Sequence, residues 1–445
     1  MSNTKILFWS ITVALGGFLF GFDTAVISGA EKSIQEVWNL SVFEHGLTVA
    51  IALIGTVVGS LTGGIPSDKF GRKNTLYGIA VLYLLSSLGT ALAPEWITFL
   101  IFRFLGGIGV GVSSVAAPLY ISEISPAKSR GRLVALFQFN IVFGILIAYL
   151  SNYLFAGIGE HDWRWMLGVQ AFPSLIFLVA IFFVPESPRW LLLKRPNKID
   201  NARKTLQIAN PDANISQMVN DIMLSGQERD ADGRKASLFS KKYSLPITLA
   251  VLFAFFNQMS GINAIIYYAP RIFEMVGLGQ ESALLSSAGI GLVNFLFTLL
   301  AMNVIDRFGR RTLMLIGSVG LIITLGLVAR SFYMKEFNGI EVPVYLFVYI
   351  AFFAFSQGAV IWVFISEIFP NQVRASGQAL GSFTHWIMAA IIAFSFPYVS
   401  ETLGGGNTFL IFTCMMILQL IFVWRLMPET KGTSLEKIEE NVVFY

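Results

Sequence analysis

The chain has 445 residues, of which 55% are hydrophobic and 13% are charged, and its formal net charge is +4. A soluble domain carries about 25% charged residues, so this chain cannot cover a water-facing surface, and the lipid bilayer must be the solvent for most of it. A single cysteine excludes an internal disulfide framework, and the three widely separated histidines show no metal-ligand spacing, so we expect neither metal nor cofactor.

Runs of about 20 apolar residues recur along the chain, each long enough to cross about 30 Å of hydrocarbon. The first run begins near the N-terminus and is too long for a cleaved signal peptide, so we interpret it as a spanning helix. The pattern predicts an all-α membrane protein with twelve spans. Their approximate bounds are 6–28, 45–64, 75–93, 98–121, 134–153, 165–184, 245–268, 282–305, 312–332, 342–365, 377–397 and 407–427.

Basic residues alternate between the two sides of these spans. With both termini cytoplasmic, the inner segments hold 25 Lys and Arg residues and the outer loops hold 5, while Arg103 lies inside a span. The long central segment is weak support, but the short loops alone favour this orientation. We predict an N-terminal six-helix bundle (1–184), a cytoplasmic linker (185–243), and a C-terminal six-helix bundle with a short cytoplasmic tail (244–445).

The linker is the one long polar stretch of the sequence. It contains K-I-D-N-A-R-K-T-L-Q-I and S-Q-M-V-N-D-I-M-L, which are typical of short amphipathic surface helices. A plain solvated linker is the alternative.

Three motifs occur twice, in the same order and at offsets of 238, 244 and 243 residues. The near-equal offsets indicate a duplicated chain, with an even number of helices in each repeat and the same orientation for both halves. The halves should be related by an axis along the membrane normal, with a binding site between them near the midplane. The motif pairs are D-K-F-G-R-K (68–73) with D-R-F-G-R-R (306–311), I-S-E-I-S-P (121–126) with I-S-E-I-F-P (365–370), and P-E-S-P-R (185–189) with P-E-T-K-G (428–432).

Each motif lies at the inner end of a span, where acidic and basic groups can form ion pairs and meet helix dipoles. We interpret these residues as a gate that holds the inner side shut and releases it when the halves move. Ordinary positive-inside flanking charge is the alternative, but it does not explain the matched carboxylates. The predicted gate comprises Asp68, Arg72, Glu123, Arg130 and Glu186 in one half, and Asp306, Arg310, Glu367, Arg374 and Glu429 in the other.

These residues resemble the major facilitator superfamily over essentially the whole chain, and within it the sugar porter family. The D-x-x-G-R-[RK] loops mark the superfamily. The segments that resemble sugar porters in particular are G-G-F-L-F-G-F-D (16–23), R-F-L-G-G-I-G-V-G (103–111), P-E-S-P-R-W (185–190), Q-M-S-G-I-N (258–263) and P-E-T-K-G.

Two ionisable residues, Asp23 and Arg103, lie inside spans, each about five residues from an outer end. Because the two spans run in opposite directions, the side chains should lie at similar depth, and pairing is the cheapest way to hold both charges there. Proton-coupled sugar porters carry an aspartate at the first of these positions, whereas similar glucose facilitators carry a neutral residue. The resemblance therefore implies proton coupling through Asp23 and Arg103, and a purely structural ion pair is the alternative.

The resemblance also implies a sugar site between the halves, with polar groups for the hydroxyls and apolar faces for the ring. Gly261 lies between two of the predicted amides and should allow the helix to break there. For each amide, a helix–helix hydrogen bond without a ligand is the alternative, and each tryptophan could instead anchor at the interface. The implied residues are Phe20, Gln138, Ile141, Gln258, Asn263, Tyr267, Asn294, Trp362, His385 and Trp386.

The sequence departs from the family pattern at three positions. Asn257 replaces a glutamine before Gln258, and Ala359 replaces a proline in span 10, which leaves Gly358 as the expected flexible point. His385 replaces an amide residue before the tryptophan of span 11. We predict that His385 contacts sugar and changes selectivity or the pH optimum, because imidazole can donate, accept and titrate. A neutral histidine bonded to a neighbouring helix is the alternative.

The sequence thus favours a multi-pass transporter of the cytoplasmic membrane that imports a hexose or pentose with a proton by alternating access. A proton-independent facilitator is the first alternative, and a drug exporter or a nutrient sensor is less favoured; no catalytic constellation suggests an enzyme. The expected partners are a sugar, a proton and the bilayer, with no nucleic acid, and we expect a monomer. The sequon Asn39-Leu40-Ser41 leaves a eukaryotic plasma membrane open.

Overall fold

The structure is a computed structural model that describes residues 2–126, 129–211, 213–231, 238–335, 340–370 and 373–431. Within these ranges the regular structure is helical. The α-helices are α1 Ser2–Val37, α2 Val42–Thr62, α3 Gly64–Phe70, α4 Arg72–Leu92, α5 Trp96–Ile124, α6 Arg130–Phe155, α7 Asp162–Gly168, α8 Ala171–Ala180, α9 Pro188–Lys194, α10 Ile199–Ala209, α11 Ile215–Ala231, α12 Ser244–Met259, α13 Ile262–Met275, α14 Gln280–Phe308, α15 Arg310–Met334, α16 Glu341–Phe353, α17 Ala359–Ile368 and α18 Arg374–Arg425. Short 3-10 turns occur at Ile181–Phe183, Pro196–Lys198 and Lys241–Tyr243, and a π-helical turn occurs at Ala354–Gly358.

Eleven helical stretches in the described ranges are long and apolar enough to cross a membrane. Each overlaps a predicted span. The longest, α18, has 52 residues, or about 78 Å at 1.5 Å per residue, which is more than twice the hydrocarbon thickness. Its backbone is not helical at Gly404, where φ is +78° and ψ is 158°. The last two predicted spans lie on either side of this residue.

Helix α1 continues nine residues beyond the predicted end of the first span, from residue 28 to Val37. Glu31 and Lys32 are charged residues that lie beyond this predicted end. In the structure both charges have partners on α13, because Glu31 pairs with Arg271 at 2.9 Å and Lys32 pairs with Glu274 at 2.5 Å. The helix can therefore continue through charged residues that the sequence pattern treats as a boundary.

The chain forms two compact units, and each cuts across helices. The first comprises Met1–Asp23, Gly55–Gly144 and Leu167–Lys235; the second comprises Thr24–Ile54, Ile145–Met166 and Ala236–Tyr445. In the first unit, α9, α10 and α11 share a small apolar cluster that includes Trp190, Leu206 and Val219. The amphipathic segments of the predicted linker thus pack their apolar faces on one another.

The core of the second unit is rich in phenylalanine. Phe253 of α12 stacks on Phe364 of α17, with ring centroids 5.1 Å apart, and Phe256 packs on Phe422 of α18 at 5.6 Å. These contacts join α12, α17 and α18 around one buried cluster. They fix the helices that carry the polar groups described below.

Candidate functional site

Asp23 and Arg103 form a buried ion pair in the first unit. Arg103 Nη1 donates to Asp23 Oδ1 at 2.9 Å, and Nη2 donates to the carbonyl oxygen of the same residue at 3.4 Å. The exposed fractions of the two side chains are 4% and 2%. The predicted pairing is therefore confirmed. A proton on Asp23 would leave the Arg103 charge buried without its counter-ion, which is strongly unfavourable.

Helix α12 ends and α13 begins at Gly261, as predicted. This glycine has φ +83°, in the left-handed region that disfavours other residues. A Cβ at this position would also lie 2.6 Å from the ring of Phe412. The break turns the last residues of α12 and the first residues of α13 toward one another, which places Gln258 beside Asn263 although they are five residues apart.

Buried amides at this break form a connected polar network. Asn263 Nδ2 donates to Gln258 Oε1 at 2.6 Å, and Gln258 Nε2 donates to Asn257 Oδ1 at 3.1 Å. Gln258 Nε2 also lies 3.2 Å from the imidazole nitrogens of His385. Asn257 Nδ2 donates to the carbonyl oxygen of Gln357 at 3.4 Å. These groups satisfy one another, and each could exchange its bond for one to a hydroxyl at little net cost.

Aromatic rings line the same region of the second unit. The His385 ring lies 4.9 Å from that of Trp362 and meets Trp386 edge-on at 4.8 Å. Trp362 is 36% exposed, whereas Tyr267 is buried. Asn294 is buried and accepts a hydrogen bond from Thr298 at 3.4 Å. The structure thus brings Gln258, Asn263, His385, Trp362 and Trp386 into one cluster, which we call the amide–aromatic cluster.

The remaining predicted sugar-site residues lie in the first unit. Phe20 of α1 is buried, and Gln138 and Ile141 of α6 are half-buried. Gly21 brings α1 against α6, because a Cβ there would lie only 1.8 Å from the carbonyl oxygen of Ile141. The two helices that carry these residues are therefore in backbone contact. The roles of these residues in binding remain predictions.

The flexible point predicted at Gly358 differs in detail from the structure. The backbone angles of Gly358 itself are regular, with φ −63° and ψ −37°, and the irregularity is the π-helical turn Ala354–Gly358, of which Gly358 is the last residue. Such π-helical turns are rare and frequently occur at functional sites. Asn257 donates to the carbonyl oxygen of Gln357 within this turn, and Ala359 directly follows the turn, so two of the departures from the family pattern meet here.

Arg72 is the centre of a charge network at the start of α4. Its guanidinium donates to both oxygens of Glu123 at 3.0 and 3.1 Å, and to Asp68 Oδ1 at 3.0 Å. The N–H groups of Arg72 and Lys73 donate to Glu186 Oε1 at 2.9 and 3.1 Å, so this carboxylate meets the positive end of the helix. Burial raises the pKa of Glu186, and these N–H groups offset only part of that effect.

The second copy of the motif builds the same arrangement at the start of α15. Arg310 Nη2 donates to Glu367 at 2.9 Å. The N–H groups of Arg310 and Arg311 donate to the two oxygens of Glu429 at 2.9 and 3.0 Å. The repeated sequence motifs therefore form equivalent hydrogen bonds in the two halves of the chain.

A glycine precedes each arginine. Gly71 has φ +98° and Gly309 has φ +88°, values that L side chains rarely adopt. A Cβ at Gly71 would lie 2.3 Å from Glu186 Oε2, and one at Gly309 would lie 2.5 Å from Glu429 Oε2. Each glycine both turns the backbone and leaves room for the carboxylate that caps the helix.

The other predicted gate residues are placed differently. Arg130 is exposed and lines a cavity of about 840 Å³ together with Asp68 and Glu123. Arg374 Nε donates to the carbonyl oxygen of Phe369 at 3.2 Å. The side chain of Asp306 lies outside the described residues. Whether these groups gate the protein remains a prediction.

Comparison with known proteins identifies the family. A model of the family described as "Sugar (and other) transporter" matches residues 9–442. The chain belongs to this family. The predicted family is therefore confirmed, and it is a family of transporters rather than enzymes.

Individual relatives are similar over nearly their whole length. The D-xylose-proton symporter of Escherichia coli (strain K12) is 36% identical over 476 residues, which cover 98% of this chain and 96% of the relative. The glucose transporter GlcP of Staphylococcus epidermidis is 37% identical, covering 98% and 97%. The inward-open structure of the xylose transporter XylE from E. coli matches with a TM-score of 0.86 and 34% identity, covering 97% and 99%. The chain is thus a multi-pass membrane protein with the major facilitator fold.

Sequence reasoning missed a second buried ionic cluster of this sugar transporter, in its second unit. Arg271 of α13 donates to both oxygens of Glu31 of α1 at 2.9 Å, and also to Gln35 Oε1 at 2.7 Å. His45 Nε2 of α2 lies 2.7 Å from Glu31 Oε2. The side chains of Glu31 and His45 are 1% and 0% exposed. We call these residues, Glu31, Gln35, His45 and Arg271, the Glu31 cluster.

A sequence signal for this cluster exists but is weak. Glu31 lies eight residues after Asp23, so a helix that continues past the predicted end of span 1 carries a second acid. Nothing in the local pattern connects it to Arg271, 240 residues later in the chain. A capping box at Ser41 and Glu44 starts α2 and thereby places His45 on its first turn.

Proposed function

We propose that this protein is a secondary active transporter that imports a monosaccharide together with a proton by alternating access. The observation that carries the proposal is the buried ion pair of Asp23 and Arg103, at 2.9 Å and nearly without exposure. Ionisable residues inside a membrane span are energetically costly, and where they occur they mark functional sites. Proton binding to Asp23 would release Arg103, which offers a link between proton uptake and helix movement.

We further propose twelve spans, with both termini cytoplasmic, in the cytoplasmic membrane. The break at Gly404 supports two crossings by α18, and the excess of Lys and Arg in the inner segments supports the orientation. The relatives named above are bacterial. We also propose two six-helix bundles (1–184 and 244–445) joined by a cytoplasmic linker (185–243), and a monomer in the lipid bilayer. In this orientation the Glu31 cluster lies on the outer side.

The amide–aromatic cluster is the proposed C-terminal part of the sugar site. Its amides can donate and accept, as sugar hydroxyls require, and its rings offer faces for the sugar ring. Phe20, Gln138 and Ile141 are the proposed N-terminal contributors, and Tyr267 and Asn294 complete the set. The substrate class is a hexose or a pentose, in keeping with relatives named for xylose and glucose.

The proposed gate uses the two charge networks at the inner ends of the helices. Each network joins three segments of its own half through one arginine, as in the contacts of Arg72 with Asp68 and Glu123. Such a network holds helix ends together as one body. The residues involved are Asp68, Arg72, Glu123, Arg130, Glu186, Asp306, Arg310, Glu367, Arg374 and Glu429.

Uptake into proteoliposomes tests the proposed function. We expect an inward gradient of one pH unit, worth about 1.4 kcal/mol per proton, to concentrate glucose or xylose about tenfold inside the vesicles. The better sugar defines the substrate class, and vesicles without a gradient are the control. Uptake that only equilibrates in both conditions would establish a facilitator instead. A nutrient sensor would move neither sugar.

We expect His385→Asn to change the ratio of xylose to glucose uptake by about two- to tenfold, the worth of one hydrogen bond. Asparagine keeps a donor and an acceptor but loses the ring that packs on Trp362. The ratio should be measured from initial rates across a pH series, with the exposed loop residue variant His161→Asn as the matched control. An unchanged ratio and an unchanged pH profile would mean that His385 serves only to bond Gln258 on the neighbouring helix.

A further inference from the structure

We propose that the Glu31 cluster is a proton-sensitive latch, in which opening of the outer side separates Arg271 from Glu31 and adds a proton to His45. The inference rests on the orientation and the alternating access proposed above. It concerns a group other than Asp23, and it assigns His45 a role in admitting substrate from outside. Three observations carry it: the backbone of α13, the burial of Glu31 and the position of His45.

Arg271 lies on the last part of α13, which follows an irregular point in the backbone of that helix. The helix starts at the break at Gly261, and its interior is not helical at Tyr268, where φ is −122° and ψ is 20°. Pro270 follows and removes a backbone donor. The short segment after this kink can therefore move as a unit. Two ion pairs, of Arg271 with Glu31 and of Glu274 with Lys32, join it to α1.

Glu31 cannot lose Arg271 without a replacement. Its carboxylate is 1% exposed, and the guanidinium forms two hydrogen bonds to it at 2.9 Å. Leaving a buried carboxylate without its counter-ion lowers the population of that state by about 150- to 5,000-fold. A movement that carries α13 away from α1 must therefore place another positive charge beside Glu31 or a proton on its carboxyl group.

His45 is placed to supply that charge. Its Nε2 already lies 2.7 Å from Glu31, and it is on α2 rather than on α13. With Arg271 in place, the Glu31 carboxylate already has its counter-ion, so a positive charge on His45 would add a third charge to the cluster. With Arg271 removed, the imidazolium restores neutrality beside Glu31. Protons from outside should therefore favour the open state, because that state binds one more proton than the closed state.

The other titratable groups near His45 have partners of their own. Lys32 pairs with Glu274, and Glu44 is bonded to Ser41. The Tyr268 ring lies 6.0 Å from the His45 ring, and its hydroxyl donates to the carbonyl oxygen of Ala393. Helix α18 approaches α2 at Gly46 with the uncharged Phe394. His45 and Arg271 are therefore the two side chains that can each place a positive charge beside Glu31, His45 when Arg271 has moved away.

Labelling of one buried thiol from outside measures the latch directly. In a Cys414→Ser background, Ser28→Cys places a thiol one turn before Glu31 on α1, where the wild-type side chain is 3% exposed. Proteoliposomes are treated with a membrane-impermeant maleimide between about pH 8 and pH 6, without sugar and without a proton gradient. Labelling rates are divided by the labelling rates of the variant Glu160→Cys, whose thiol lies in an exposed loop. This division removes the pH dependence of the reaction between the thiol and the maleimide.

We expect the corrected rate to rise as the outer pH falls, by at most about tenfold per pH unit for one linked proton. His45→Gln should remove this pH dependence, and Arg271→Gln should label fast at every pH. Lys32→Gln, which removes the neighbouring exposed ion pair, should keep the pH dependence. Size-exclusion profiles and thermal midpoints show whether each variant is folded.

A pH dependence that persists in His45→Gln would overturn the latch, as would slow labelling of Arg271→Gln. Loss of the pH dependence in Lys32→Gln would also overturn the latch, since removal of any charge near the outer side would then have the same effect on labelling as removal of His45. The assay needs neither transport nor coupling, so a protein that proves to be a facilitator would leave its result intact.

Discussion

Asp23→Asn is expected to abolish sugar accumulation and to leave exchange of sugar across the membrane. Asparagine cannot carry the proton, so the inward gradient no longer drives uptake above equilibrium. The side chain is nearly isosteric and can still bond Arg103, but the guanidinium loses its counter-ion at 2% exposure. The measurement is accumulation with a gradient of one pH unit beside counterflow of labelled sugar without a gradient.

The double variant Asp23→Asn with Arg103→Gln separates coupling from structure. Removing one partner of a buried pair costs about 3–5 kcal/mol, whereas removing both charges can be nearly neutral. The double variant should therefore regain thermal stability relative to Asp23→Asn, yet still fail to accumulate sugar. If the double variant accumulates sugar as the wild type does, the ion pair is structural and the proton must bind elsewhere.

Gln258→Ala is expected to raise the sugar concentration for half-maximal uptake by about tenfold or more. The side chain bonds Asn263, Asn257 and His385, and it is the common member of these contacts. Its loss removes one or two hydrogen bonds to sugar, each worth about 0.5–1.5 kcal/mol, and also misplaces its neighbours. Initial rates of uptake over a range of sugar concentrations measure the effect.

Gln419→Ala is the matched control for this variant. Gln419 is also a buried amide, and its Nε2 donates to Ser318 Oγ at 2.8 Å between α18 and α15. Both variants should lower the thermal midpoint, because each leaves a buried partner without its bond. Only Gln258→Ala should change half-saturation. Equal changes in the two variants would indicate that Gln258 acts through helix packing rather than through sugar.

Much of the membrane architecture follows from the sequence because hydropathy and charge act locally. Each helical stretch that can cross a membrane overlaps a predicted span, and the left-handed break at Gly261 was expected from its place between two polar residues. The pairing of Asp23 with Arg103 could also be predicted, since two lone charges at equal depth have little choice of partner. The repeated motifs likewise anticipated two matching charge networks.

The contacts that could not be predicted depend on residues far apart in sequence. The length of α1 depends on Arg271 and Glu274, which compensate the charges of Glu31 and Lys32. The π-helical turn that ends at Gly358 arises from backbone hydrogen bonding that no local sequence pattern indicates, and Asn257 on another helix donates to a carbonyl oxygen within it. His45 resembles an ordinary buried histidine until the tertiary structure places Glu31 beside it.

The two capped helices also bear on how this chain can change over evolutionary time. At the start of α15, the space that a methyl group would need at Gly309 is filled by the carboxylate of Glu429, more than a hundred residues later. A substitution at either position alters what is tolerated at the other, so the two are expected to diverge together rather than independently. The same holds for Gly71 and Glu186. Since the two pairs share no residue, substitutions at the pair in one half of the duplicated chain do not constrain substitutions at the pair in the other half.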